Sequence, residues 1–282
     1  MKTVNSLSGG KTSSYIAVNY PADYNVFALV RTDDKKCIYP DAKVRQMVSD
    51  KIGKEFIGTL EMDEIINTMF DLEQLIGKEI NWLSPLSFDE ALINPNGSIY
   101  LPNKVKRICT VRMKIEPIFY WWAKTMNFET CEMRIGFRAN EMNRAKTMLD
   151  KADKDRIQWQ KGTWEKKESG RNIWKTVPYR KLKFPLIEDA IFKDEIEKFW
   201  SNKNVRFAYM NNCVGCFHRN PILLKHISEK AENKFDWFIQ QEDKSNLQWK
   251  SETTYRKIKD SLKQTKLFDD DFSECDSGYC GL

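Results

Sequence analysis

The sequence predicts an α/β protein with a doubly wound, mostly parallel sheet and a helical, cysteine-bearing carboxy-terminal lobe. Three observations predict it. Apolar segments of strand length alternate with helix-period segments through the first half; the first strand runs through Ser8-Gly9-Gly10 into a helix; and late cysteines stand as Cys213-x-x-Cys216, Cys275 and Cys280 around charged, helix-patterned sequence. Alternation of this kind is the pattern of a layered sheet covered by helices.

Taken in order, Val4 to Leu7 reads as a strand, and Tyr15-Ile16-Ala17-Val18 lies in the helix that follows the glycines. Asn25 to Val30 is β-branched and apolar enough for a buried strand, ending at the polar Arg31-Thr32-Asp33-Asp34. Asp41 to Ile52 reads as a helix, Glu55 to Leu60 as a strand, and Asp63 to Ile76 as an amphipathic helix. Pro85, Pro95, Gly97 and Pro102 interrupt any long element between residues 77 and 104. A helix is expected from Cys109 to Trp122, because Ile108, Val111, Ile115, Phe119 and Trp122 recur at three and four residues and would face a core. Cys131 to Ile135 is strand-like, a helix runs to Phe199-Trp200, and residues 225–267 are charged and helical in pattern. The expected division is a domain over 1–224, with a basic insertion at about 145–183, and a helical segment with its cysteine tail over 225–282.

Composition narrows the class. The 282 residues are 41% hydrophobic and 30% charged, as in a soluble globular chain. There is no run of eighteen apolar residues and no signal-peptide pattern, so a cytoplasmic address without membrane attachment is expected. Seven cysteines, an odd number, without an export signal favour thiol or metal chemistry over a disulfide framework. The net charge of +6 favours anionic partners, and His218 and His226 are the whole histidine complement. The oligomeric state is not legible.

Strand, glycine turn and helix together make a phosphate cradle. Two glycines let backbone N–H groups curl inward, while the next helix presents unsatisfied amides and a positive dipole end. Lys11 adds mobile charge, and Ser8, Thr12 and Ser13 add hydroxyl donors. A Walker A loop is excluded, because it needs glycine five positions before Gly10, where Asn5 stands. A plain left-handed turn before a helix remains an alternative account of Ser-Gly-Gly.

Further segments extend the pattern. Cys109-Thr110-Val111-Arg112-Met113-Lys114-Ile115-Glu116-Pro117 places a cysteine on a helix, with Lys114 off the apolar face near it; a small buried thiol is the plainer account of Cys109 alone. Gly136-x-Arg138 with Arg144 follows the strand at 131–135, and guanidinium forks bind phosphate oxygens two at a time, although solvated loop arginines look the same in sequence. Pro185-Leu186 precedes Glu188-Asp189 and an aromatic helix.

Together, Ser8 to Ser13, Cys109 to Ile118, Gly136 to Arg144 and Pro185 to Trp200 resemble the adenine nucleotide alpha-hydrolase (PP-loop) superfamily, and within it the phosphoadenosine phosphosulfate (PAPS) and adenylylsulfate (APS) reductase family. The ending Tyr279-Cys280-Gly281-Leu282 is similar to that family's Glu-Cys-Gly-Leu-His tail, with tyrosine for glutamate and no histidine. Thr110 stands where cluster-bearing members carry a second cysteine. The resemblance implies a HUP-like PP-loop domain in which Ser8, Gly9, Gly10, Lys11, Thr12 and Ser13 cradle phosphate or sulfate. It implies that Gly136, Arg138 and Arg144 clamp the anion and that Thr32 and Asp33 lie along the adenosine. Lys11, Arg138 and Cys280 would be catalytic, Cys280 as the nucleophile that attacks sulfur before an external thiol reduces the product.

The turn Cys213-Val214-Gly215-Cys216 brings two thiols within reach of one metal, and one pair cannot close a site. The resemblance makes Cys109 the third ligand, and the tail offers Cys275 or Cys280 as a fourth; in the first assignment Cys109, Cys213, Cys216 and Cys275 hold a 4Fe-4S cluster, leaving Cys280 mobile. A three-cysteine cluster with an open iron, and a structural zinc with four cysteine ligands, are the alternatives. A thioredoxin-like pair is disfavoured by context.

Between Arg144 and Lys183 stand thirteen Lys or Arg against five Asp or Glu, with Trp159, Trp164, Trp174 and Tyr179 interleaved. That is the makeup of an RNA or DNA contact surface; an exposed β-hairpin whose tryptophans pack on the domain is the other reading. The leading expectation is therefore a PAPS reductase-like oxidoreductase acting on ATP, PAPS or APS. The alternative is an ATP-dependent sulfurtransferase that thiolates tRNA or DNA with a sulfur donor, and with magnesium where ATP is used. A non-catalytic nucleotide-binding protein is the third.

Overall fold

The computed structural model describes residues 1–210 and 213–262. Its strands are β1 (Thr3–Leu7), β2 (Tyr24–Ala28), β3 (Arg31–Thr32), β4 (Gly58–Thr59), β5 (Ile80–Leu83), β6 (Cys131–Arg134), β7 (Ile157–Lys166) and β8 (Asn172–Lys183). Six of them form one sheet in the order β5-β2-β1-β6-β8-β7. β1 pairs in parallel with β2 and β6, and β6 with β8, while β7 lies antiparallel to β8 at the edge. Helices flank this sheet, so the chain is an α/β protein with a mostly parallel sheet. Among the described residues no helix is long and apolar enough to cross a membrane.

The chain divides into two compact units, each assembled from three separate stretches. Among the described residues, the first comprises 1–27, 71–81 and 118–205; the second comprises 28–70, 82–117 and the described part of the chain from 206 onward.

In the first unit, β1 buries Val4 and Leu7, and helix Glu116–Met126 supplies an aromatic core. Phe119 stacks on Trp122 at 5.6 Å, and Trp122 meets Tyr179 of β8 at 4.8 Å. Helix Lys11–Asn19 packs on helix Lys193–Trp200, with Tyr15 edge-on to Phe199 at 4.9 Å. In the second unit, helices Pro221–Lys230, Glu232–Ser245 and Tyr255–Asp260 surround a core that includes Phe88, Phe235, Trp237, Phe238, Trp249 and Tyr255. Aromatic pairs of this kind each add about 1 kcal/mol beyond the area they bury.

Two expectations are corrected. The segment Glu55–Leu60 forms only the two-residue β4, paired antiparallel with β3 apart from the main sheet. There Gly58 admits a close backbone approach, since a Cβ would stand 1.9 Å from the carbonyl oxygen of Cys37. The helix expected across residues 109–122 contains a π-helical turn at Val111–Ile115. The wider turn rotates the apolar face, so Val111 is 41% exposed and Met113 takes the buried place.

Candidate functional site

The glycine loop belongs to the first unit. After β1, Gly9 adopts φ 80°, a conformation that favours glycine, and Gly10 returns to extended backbone at the helix entrance. Ser13 folds back on the loop: its hydroxyl donates to the Gly10 carbonyl at 3.1 Å and accepts the Ser8 amide at 3.1 Å. Helix Lys11–Asn19 starts without a side-chain cap and without an acidic residue in its first turn. The dipole end therefore has no carboxylate of its own helix beside it. Lys11 is held in place by an ion pair with Glu197, and its carbonyl accepts the Trp200 indole N–H at 2.9 Å.

The same unit sets Gly136 against this helix start. A Cβ there would lie 3.4 Å from Thr12 Cγ2 and 3.7 Å from the Ser13 amide nitrogen. Two residues on, the Arg138 guanidinium donates to Glu141 Oε2 at 3.1 Å, and Arg144 pairs with the other carboxylate oxygen. Arg144 also lies 4.2 Å from the centroid of the Phe137 ring. The two arginines expected to clamp an anion are thus brought together by one carboxylate. Glu141 was not singled out in the sequence, although its position between the arginines is the signal that marks it.

Thr32 and Asp33 belong to the second unit, where Asp89 accepts both the Thr32 hydroxyl at 2.7 Å and the Asp33 amide at 3.0 Å. Arg31, buried, donates to Glu90 at 3.2 Å and also pairs with Asp33. These bonds stiffen the polar end of the segment that follows β2.

Three expected metal ligands border one hollow in the second unit. Cys109, Cys213 and Cys216 line a single hollow of about 40 Å³ together with Lys114, Arg107, His218 and Trp249. That volume corresponds to a few water sites. The Cys213 turn is pinned from several sides. Val214 donates its amide to the Leu60 carbonyl at 2.8 Å, the Tyr255 hydroxyl donates to the Gly215 carbonyl at 3.0 Å, and Lys250 donates to the carbonyls of Phe217 and Arg219 at 2.9 and 3.1 Å. Gly215 is required by contact, since a Cβ would stand 2.4 Å from Phe238 Cγ. Lys114 pairs with Glu61, 1% exposed, at 3.1 Å, and Lys234 donates to the Glu61 carbonyl at 2.7 Å.

The donor type of this hollow suits a thiolate-held metal. Among the described residues, no three His, Cys, Asp or Glu side chains are gathered closely enough to hold an ion. Cys275 and Cys280 lie outside the described residues. His218, two residues past Cys216, was not among the expected site residues. Burial, with Arg107, Lys104 and Lys250 nearby, pulls it down to about 4, so it is neutral at physiological pH. Cys37 and Cys131 stand apart from this chemistry, because burial pushes each thiol up to about 12.

Fold and site together define an α/β protein with an uncapped strand–glycine–helix loop in one unit and a thiol-lined hollow in the other. No protein-family model matches the chain, and no curated protein and no solved structure matches it.

Proposed function

We propose that this chain is an adenine-nucleotide-dependent sulfur enzyme of the PAPS/APS reductase type. The observation that carries the reading is the loop: Gly9 at φ 80° leads into a helix start without cap or acidic residue, beside Gly136 and the Arg138–Glu141–Arg144 group. Ser8 to Ser13 bind the phosphate or sulfate end through amides and hydroxyls, and Lys11, Arg138 and Arg144 offset its charge. In the reductase reaction the Cys280 thiolate bonds to the sulfate sulfur as the sulfur–oxygen bond to phosphate breaks. The adenosine phosphate leaves with that electron pair, and an external thiol attacks the resulting thiosulfonate to release sulfite.

Cys109, Cys213 and Cys216, with Cys275, are the residues that would hold a thiolate-liganded metal. Bound as an iron–sulfur cluster it supplies electrostatic or redox chemistry, and as zinc it supplies folding energy.

The test is sulfite release from PAPS or APS by anaerobically purified protein with a dithiol present. Sulfite is expected from the unmodified chain and none from Cys280→Ser, which still binds nucleotide. Pyrophosphate release from ATP, appearing only when nucleic acid is added and without any sulfite, would overturn the reductase in favour of a sulfurtransferase.

A further inference from the structure

The basic insertion is a β-hairpin, and its two faces differ. In an antiparallel pair, directly opposed residues project from the same side of the sheet. The register pairs Trp159 with Pro178, Lys161 with Thr176 and Thr163 with Trp174, so these six share one face. The other face packs inward around Gly162: Trp164 lies edge-on against Phe128 at 4.7 Å, Tyr179 is 2% exposed, and a Cβ on Gly162 would stand 2.6 Å from Phe119. Trp159 and Trp174, by contrast, are each 53% exposed. Trp159 is anchored at its edge, its indole N–H donating to Asp153 Oδ2 at 2.9 Å, so both rings keep an open face on the same side of the hairpin.

Their arrangement is regular. Trp159 and the partner of Trp174 are four residues apart on β7, which sets the two backbone positions about 13 Å apart along the strand. Lys161 lies between them, its Nζ 5.6 Å from the centroid of the Trp174 ring. Past the bulge in β8 the same face continues through the Ile157–Lys181 pair. There Lys154, Arg156, Lys181 and Lys183, with Glu132 and Asp155, line an open depression of about 430 Å³. Glu188 pairs with Lys183 at 2.5 Å and with Arg156 at 3.9 Å, leaving cations in excess. From Ile157 to Lys183 there are eight Lys or Arg against two Glu.

From this geometry we infer that the outer face of the β7–β8 hairpin is a binding track for single-stranded nucleic acid. Unpaired bases stack on Trp159 and Trp174 and phosphates run along Lys161, Lys181, Lys183 and Arg156. An acidic protein would use the cations and gain little from two separated flat rings. A duplex keeps its bases stacked on one another and offers the indoles nothing. Neither stacking nor phosphate contact reads base identity, so the track is tolerant of sequence. The inference stands on the hairpin alone and does not depend on the nucleotide chemistry proposed above.

The experiment titrates the full chain with a fluorescein-labelled oligo-dT of about twelve nucleotides, and with the matching oligo-U, following anisotropy over a range of salt concentrations. Binding of either strand supports the proposal, and the tighter one names the sugar. Affinity is expected to fall as salt rises, and Trp159→Ala and Trp174→Ala are each expected to weaken it by about tenfold, with Lys161→Glu adding to the loss. A bromouracil-substituted strand irradiated with the unmodified protein is expected to crosslink within 157–183, which covers the case of a variant that does not fold. Absence of binding at low salt, full affinity in the doubly substituted Trp159→Ala/Trp174→Ala chain, crosslinks only elsewhere, or equal competition by a duplex would each overturn it. Sulfite release is measured separately, so either result can fail without the other.

Discussion

The ammonium of Lys11, the first residue of the helix behind the glycine loop, is paired with the carboxylate of Glu197 on the helix packed against it. Each side chain is about one-third exposed, so the pair is in contact with solvent and open to competition by a bound anion. Replacing Glu197 by Gln releases the lysine charge. The dissociation constant for ATP or a sulfonucleotide, measured by calorimetry, is expected to fall by roughly two- to fivefold, and Lys11→Ala is expected to raise it. Weaker binding in Glu197→Gln would remove Lys11 from the list of phosphate ligands.

Glu141 pairs with both arginines, so its loss acts on both of the proposed anion ligands at once. Glu141→Ala is expected to weaken nucleotide binding by roughly tenfold, and Arg138→Lys to fail to restore a native-like affinity, because a lysine cannot reproduce the guanidinium fork. Unchanged binding in both variants would place the Arg138–Glu141–Arg144 group outside the nucleotide site.

Gly215→Ala drives a methyl group into the ring of Phe238. Overpacking of this kind is expected to lower unfolding free energy by about 1–3 kcal/mol in a denaturant titration. Enlarging the space with Phe238→Leu in the same chain should return part of that loss. If Gly215→Ala is neutral, the Cys213–Cys216 turn has slack that the packing does not suggest.

Lys250 is buried, and besides the carbonyls of Phe217 and Arg219 it pairs with Glu252 at 3.1 Å. The hydrogen bond from Lys250, then the backbone and Ser251, hold the Glu252 carboxyl at about 2 instead of the usual 4.5. A folded-state value below the unfolded one gives stability that is present above about pH 4.5 and lost as pH falls toward 2. Urea midpoints across that window should drop for the unmodified chain and show a smaller drop for Glu252→Gln. Lys250→Met is expected to lower stability at neutral pH by about 2 kcal/mol or more, since two buried carbonyls lose their donor.

Lys114→Met leaves the Glu61 carboxylate buried without its cation, and is expected to reduce unfolding free energy by about 3–5 kcal/mol. Glu61→Gln combined with Lys114→Met should recover much of it, measured as a double-mutant cycle.

How far each feature could be read in advance follows from the range of the interactions behind it. The alternation of apolar strands and amphipathic helices is a local signal, and it predicted the α/β class, helix Ala42–Ile52 behind Asp41 and helix Glu64–Ile76. The glycine loop was legible for the same reason: its turn is made by Ser8 to Ser13 themselves. The π-turn at Val111–Ile115 was not, because periodicity counted at 3.6 residues per turn has no term for a wider turn. Nor did the sequence show which tryptophans of the insertion face outward, since Trp164 and Trp174 look alike until the register of β7 on β8 assigns their sides.

By itself the sequence determined the layered α/β class, the glycine bend after the first strand and the chemical character of the residues around it, all set by neighbours a few residues apart. Only the tertiary structure showed that Glu141 gathers Arg138 and Arg144, that Glu197 takes Lys11 across 186 positions, and that Cys109 lines the same hollow as Cys213 and Cys216, a grouping the residues alone left open. Such contacts depend on how packed layers bring distant segments together, and no local pattern of residues encodes the partner at the far end.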